Sequence, residues 1–231
     1  MLEMQTCFLS EVGGRGRNED ACGYWTSEAG CCWVVSDGAG GHGSGDVASR
    51  LVVSSMLRSF VAHPQVGPDT ASTLLQQAND AVVEEKTTGS TADDMHATAV
   101  LLLIDPRDRV AVWGHVGDTR IYLFRRGRVA YQTRDHSLVQ NMIDAGYGSV
   151  DMIRTHPQRR EGCNLPARST LSTSTCKDWL AGKYFCPRDC KYSAMVCRLG
   201  AASRFWSRTS VKASGCTKAT STDPARTAPP A

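Results

Sequence analysis

The sequence predicts an α+β domain over residues 1–160, followed by a stretch of different character over residues 161–231. Three observations carry this. Two helix-period segments come in succession and are followed by a run of short strand candidates, so both kinds of element are expected in one well-punctuated stretch. Carboxylates sit at the ends of two of the apolar runs, beside glycines. The periodicity stops at Arg160.

The elements follow in order. Residues 31–36 (CCWVVS) form a short apolar run that ends at Asp37-Gly38, the pattern of a buried strand emptying into a loop. A glycine-rich stretch follows, 38–45. Residues 46–62 place Val47, Leu51, Leu57 and Val61 at helical spacing, with Asp46 in the first turn, where a carboxylate favours the positive end of the helix dipole. A second helix is expected over 69–85, with Leu74, Leu75, Ala78, Ala81 and Val82 on one face. A polar loop, 87–94, leads into strands expected at 97–104, 109–115 and 119–125. Residues 105–108 make the first turn, and Gly127 makes another before a short strand at 128–131. Residues 137–145 read as a helix capped near Asp135 and closed by Gly146, and 149–155 as one more short helix before Pro157. After Arg160 no element can be assigned, and the Thr/Ala/Pro-rich residues 217–231 are expected to be disordered.

Charge and cysteine break at the same place. Residues 1–160 hold 15 Lys and Arg against 19 Asp and Glu, whereas residues 161–231 hold 11 against 4. Four of the ten cysteines (Cys7, Cys22, Cys31, Cys32) precede the break and six follow it. The basic excess lies wholly in the tail, which has no helix with Lys and Arg on one face and no aromatic stacking platform; nucleic-acid binding is therefore not expected. No apolar run is long enough to span a membrane. The first ten residues lack a basic segment leading into an apolar one, so no secretory signal is expected and a cytoplasmic location is the default.

Three clusters carry chemistry: Arg15-Gly-Arg-Asn-Glu19-Asp20, Val35-Ser-Asp37-Gly38-Ala-Gly-Gly-His42, and His115-Val-Gly-Asp118-Thr-Arg120. Asp37 is the sharpest signal. A carboxylate at the end of a buried strand is held rigidly and faces glycines whose backbone can approach a ligand closely. Hard cations such as Mg²⁺ and Mn²⁺ take oxygen ligands from carboxylates and backbone carbonyls. Asp37, the Gly38 carbonyl, Glu19 and Asp20 would supply such a set. Each signal also has an ordinary reading: Asp37 as a capping residue in a strand-to-helix loop, Asp118 as a turn aspartate, Arg15 as a solvated surface charge and His42 as a loop histidine.

Together the clusters resemble a known family. R-x-x-N-E-D (Arg15 to Asp20), D-G-x-G-G-H (Asp37 to His42), T-A-V (Thr98 to Val100), V-G-D-T-R (Val116 to Arg120) and T-x-D-H-S (Thr133 to Ser137) follow the ordered motifs of bacterial metal-dependent protein serine/threonine phosphatases of the PPM (PP2C-like) family, over residues 6–160. The resemblance implies two packed antiparallel β-sheets flanked by helices, with a two-metal Mn²⁺ or Mg²⁺ centre at one end and a possible third metal. Asp37 is similar to the carboxylate that bridges both metals and Gly38 to the carbonyl ligand. Glu19 and Asp20 resemble the acidic pair that contacts the metals directly or through water. Arg15 is similar to the arginine that clamps the substrate phosphate, and Asp118 to a ligand of the third metal. The implied chemistry is in-line attack on phosphorus by a metal-activated water, without a covalent phospho-enzyme. Ala39 stands where some members carry a histidine proposed as general acid, so His42 is the alternative donor. The implied partners are phosphorylated proteins and an opposing serine/threonine kinase.

The resemblance also implies two further aspartates, in S-D-G and D-N motifs, and residues 161–231 contain neither. The C-terminal part of the sandwich is thus expected to be incomplete, with unpaired strand edges. The tail reads either as an out-of-frame translation beginning near Arg160 or as a genuine appendage. In the latter case Cys176, Cys186, Cys190 and Cys197 are zinc-ligand candidates, although their spacing lacks two-residue knuckles. Two functions follow: an active phosphatase, or an inactive remnant that at most binds phosphoproteins.

Overall fold

The computed structural model describes residues 4–40, 44–88, 95–158, 172–177 and 196–199. At its centre is an antiparallel sheet built on the apolar runs. Strand β2 (Asp20–Thr26) pairs with β3 (Cys31–Ala39), β3 with β5 (Ala99–Asp105), β5 with β6 (Val110–Val116), and β6 with β9 (Ser172–Lys177). A two-residue strand, β4 (His96–Ala97), extends the β5 side along the end of β3.

The runs in β3 and β5 are continuous rather than alternating because both faces of these strands are covered. Cys32, Val34, Leu101, Leu103 and Val112 turn to one face, where helices α1 (Ser44–Ala62) and α2 (Pro68–Thr88) bring Val52, Met56, Phe60, Leu75 and Val82. Cys31, Trp33, Val35, Val100, Leu102, Ile104 and Trp113 turn to the other. That face is covered by a second layer. Strand β1 (Met4–Cys7) contributes Met4 to the apolar cluster, and Trp33 Nε1 donates to Thr6 Oγ1 at 3.0 Å. The hairpin of β7 (Tyr122–Arg125) and β8 (Arg128–Gln132) contributes Leu123, with Ile121 just before it. The hairpin turns through Arg126 (φ 52°) and Gly127 (φ 75°), two left-handed residues of the kind a two-residue turn between twisted strands requires. The architecture is thus α+β, with antiparallel sheets in layers and helices outside.

The structure departs from the sequence reading in three places. The helix expected at 137–145, α3 (Leu138–Asp144), is capped by Ser137 and not Asp135: the Ser137 hydroxyl accepts from Gln140 N at 3.1 Å. Asp135 is withdrawn from capping because it is bound to Arg120. Strands β1 and β2 were not expected at all. Finally, two segments after Arg160 are strands: β9 covers the edge of β6, and β10 (Val196–Leu199) pairs with β1, so the edges expected to lie open there are paired. The short helix expected at 149–155 is α4 (Met152–Thr155). The disorder expected of residues 217–231 falls outside the described residues. Of the four zinc-ligand candidates, Cys176 and Cys197 lie in strands of different sheets, and Cys186 and Cys190 fall outside the described residues.

Candidate functional site: an acidic strand end

Register creates the site. Because β2 and β3 run antiparallel, the start of one meets the end of the other, and Asp20 lies directly across from Asp37. Gly38 N donates to Glu19 O at 3.0 Å, which carries the pairing one step further and brings the Glu19-Asp20 pair alongside Asp37-Gly38. The loop before β2 is braced by Asn18, whose Oδ1 accepts from Asp20 N at 3.1 Å and whose Nδ2 donates to Ser10 Oγ at 2.7 Å.

The glycines here are a steric requirement. A Cβ on Gly38 would stand 1.9 Å from the Gly45 carbonyl oxygen and 2.7 Å from that of Glu19, and a Cβ on Gly45 would stand 2.8 Å from Glu19 Oε1. The first turn of α1 therefore rests on the Asp37-Gly38 backbone, with the Glu19 carboxylate against the positive end of that helix.

Burial and the facing acid act on Asp37 in the same direction. The Asp37 carboxyl is pushed up to about 7, first by burial and next by the charge of Asp20; the Arg15 charge opposes this, while a hydrogen bond shared with Asp20 and the charge of Asp118 add to it. Asp118 follows β6 through Gly117, whose φ is 100°. Burial and the Asp135 charge push it upward against Arg120, although its exposed surface lets solvent screen the push. Arg15 lies 3.5 Å from Glu19 and is 65% exposed, so its guanidinium remains open to an incoming anion.

A buried set of hydrogen bonds underlies the acids. Thr98 N donates to Asp37 O at 2.8 Å, and Asp37 N donates to Thr98 Oγ1 at 2.9 Å. Ser36 Oγ donates to Thr98 O at 2.6 Å, and the Thr98 and Thr119 hydroxyls bond one another. Arg120 grips Asp135 with two parallel hydrogen bonds, and Asp135 is only 7% exposed. Beside it His115 stacks on His136 with ring centroids 4.4 Å apart, and burial pushes both imidazoles down, toward the neutral form. At the open end of the sheet β4 sets His96 across from Ala39. Its neighbour Ala97 is packed on the helix side, so His96 belongs to the opposite face, which by strand alternation is also that of Asp37.

The structure thus brings together five of the residues singled out in the sequence: Arg15, Glu19, Asp20, Asp37 and Gly38. Asp118 is near enough to act on Asp37 through its charge. His42 lies outside the described residues. Sequence reading gave no role to Thr98, Thr119 or Arg120, although all three stand inside the motifs, and overlooked His96, whose relevance depends on the pairing of β4. In kind, the donor set suits a hard divalent cation: carboxylates and a carbonyl, all oxygen. In number it falls short. Among the described residues no three His, Cys, Asp or Glu side chains converge on a metal position.

The sheet, with helices on one face, thus ends in paired acids beside an exposed arginine. The family model for protein phosphatase 2C matches residues 13–142, more than half of the chain, and the chain belongs to that family. It is 30% identical over 164 residues to the protein phosphatase PhpP of Streptococcus pneumoniae, which covers 68% of this chain and 65% of the relative. The chain thus spans somewhat less than two thirds of that relative's length. Among solved structures it superposes on the serine/threonine phosphatase Stp1 from Staphylococcus aureus with a TM-score of 0.66, 27% identity, and coverage of 77% and 72% of the two chains. It also shares its fold with the catalytic domain of the serine/threonine phosphatase PstP, solved in complex with two manganese ions (TM-score 0.63, 23% identity, covering 77% and 74%).

Proposed function

We propose that this chain is a Mn²⁺- or Mg²⁺-dependent phosphatase that hydrolyses phosphoserine and phosphothreonine on proteins, opposing a serine/threonine kinase in the bacterial cytoplasm. Residues 1–160 form its phosphatase domain. The observation that carries this reading is the register of Asp20 against Asp37, which leaves a crowded acidic pair in need of a cation. The manganese ions of the PstP structure are in keeping with it.

Asp37, Asp20 and the Gly38 carbonyl would hold the cation, with Glu19 beside them and Asp118 available to a further one. Ions held there would supply a water of lowered pKa as the attacking nucleophile. The chain's own residues do the rest. Arg15 presents a planar guanidinium that can grip two phosphate oxygens at once. The leaving serine or threonine oxygen needs a proton as its bond to phosphorus breaks. Ala39 has none to give, and two imidazoles are available for the role: His42 of the glycine-rich stretch, and His96, paired across from Ala39.

A second reading is favoured by the shortage of ligands: a domain that binds phosphoproteins without turning them over. It rests on the absence of three converging metal-ligand side chains among the described residues and on the missing S-D-G and D-N motifs. The experiment that separates the two is phosphate release from a phosphothreonine peptide. Release that needs Mn²⁺, stops with EDTA and is lost in Asp37→Asn supports the phosphatase. Binding of the peptide with no release supports the second reading, and release insensitive to EDTA overturns the first.

A further inference from the structure

Two acids of the proposed site come from distant parts of the chain, Asp37 at the end of β3 and Asp118 after β6. Between them lies a hydroxyl pair with no water-facing role: Thr98 is 4% and Thr119 6% exposed. The Thr98 hydroxyl accepts from Asp37 N at 2.9 Å and meets the Thr119 hydroxyl at 2.5 Å, and Thr119 directly follows Asp118. We propose that Thr119, acting through Thr98, is a positioning residue that ties the main chain of Asp37 to the turn carrying Asp118, so that both acids of the site keep one spacing. This rests on the reading of those acids as metal ligands, but the linkage itself does not.

The physical argument is one of satisfaction and freedom. A buried hydroxyl without a partner is costly, so each threonine fixes the rotamer of the other. Thr98 additionally exchanges hydrogen bonds with both the N–H and the C=O of Asp37, and its own carbonyl is held by Ser36 Oγ at 2.6 Å. Once the Thr98 side chain is pinned, the Asp37 backbone has no independent setting. If Thr119 loses its hydroxyl, the Thr98 hydroxyl loses its buried side-chain partner and its rotamer is no longer fixed, which loosens the acceptor of the Asp37 amide. Outer partners of this kind commonly change metal affinity by about 10–100-fold.

The test uses the full chain with Thr119→Val, which keeps the shape and removes the hydroxyl, and Thr119→Ser, which keeps the hydroxyl and removes the methyl. Amide hydrogen exchange in metal-free protein is read at Asp37, with Gly38, whose N–H bonds Glu19 O, as the control within the site. Thr119→Val is expected to lower protection at Asp37 about tenfold or more while sparing Gly38, and Thr119→Ser to stay within about threefold of wild type. Mn²⁺ titration is the second arm, with an expected loss of about 10–100-fold in Thr119→Val and recovery in Thr119→Ser. Equal protection at Asp37 in wild type and Thr119→Val overturns the proposal, as does equal damage in the Val and Ser variants. A wild-type Mn²⁺ affinity in Thr119→Val despite the lost protection overturns its bearing on the metal. If wild type shows no Mn²⁺ binding that Asp37→Asn removes, the phosphatase reading falls, and the exchange arm still decides the linkage.

Discussion

Replacing Asp37 with asparagine is expected to make the metal-free protein more stable at neutral pH while destroying its response to Mn²⁺. In the folded chain the Asp37 carboxyl keeps its proton up to about 7, whereas in the unfolded chain it ionises near 3.8. Between those values the folded state binds the extra proton, so stability falls as pH rises from about 4 to 7 and is level above that. The full difference corresponds to at most about 4 kcal/mol. Solvent reaching this half-buried side chain lowers it to roughly 1–3 kcal/mol. Asparagine has the shape of the protonated acid and no charge to lose. Its advantage should therefore be near zero at pH 4 and grow to about 1–3 kcal/mol at pH 7.5, or about 3–10 °C in Tm for a chain of this size. The assay is thermal unfolding at pH 4.5, 6 and 7.5, with and without Mn²⁺. Metal at a thousand times its Kd should reverse the order, since it stabilises only the chain that binds it, by about 4.1 kcal/mol. An Asp37→Asn protein less stable than wild type at pH 7.5 without metal, or an advantage that does not change with pH, would refute the reasoning: the acids would then stabilise one another rather than await a cation.

Three further outcomes are expected. Gly38→Ala places a methyl 1.9 Å from the Gly45 carbonyl and should destabilise by about 1–3 kcal/mol, with loss of Mn²⁺ response; urea unfolding measures the first and a metal titration the second. Arg120→Ala strands the buried Asp135 carboxylate and should cost about 3–5 kcal/mol, part of which returns in the Arg120→Ala/Asp135→Ala double variant; no return would show that the pair is not what holds this turn. His96→Gln should slow release of phosphate from phosphoserine peptides by about 10²–10⁴-fold yet spare an aryl phosphate such as 4-nitrophenyl phosphate, whose leaving group departs without a proton; equal loss on both substrates would remove His96 from the role of acid.

The sequence made the centre of this fold legible and left its margins dark, for reasons that lie in burial. Strands β3, β5 and β6 are buried on both faces, so nearly every residue is apolar and the runs stand out. Strand β2 has only one fully buried residue, Gly23, and glycine reads as a breaker. It is there because a Cβ would stand 2.7 Å from Leu57 Cδ1 and 2.9 Å from Val53 Cγ1, a packing reason invisible without α1 in place. Strand β9 (STSTCK) has no apolar pattern, and its pairing with β6 is a matter of backbone. At the site, Asp37, Gly38 and Arg15 were legible from the motifs. The coupling of Thr98 to Thr119, 21 positions apart, and the place of His96 required the register.

That register has a consequence for how the site comes into being. Asp20 faces Asp37 only because the apolar stretch of β3 is aligned with its neighbours at one setting. A slip of a single residue would turn Asp37 toward the helices and carry Trp33 with it. A chain with β3 out of step therefore has no acidic pair to offer, whatever else of it has folded. Cation uptake by this protein would accordingly report on strand alignment as much as serve chemistry.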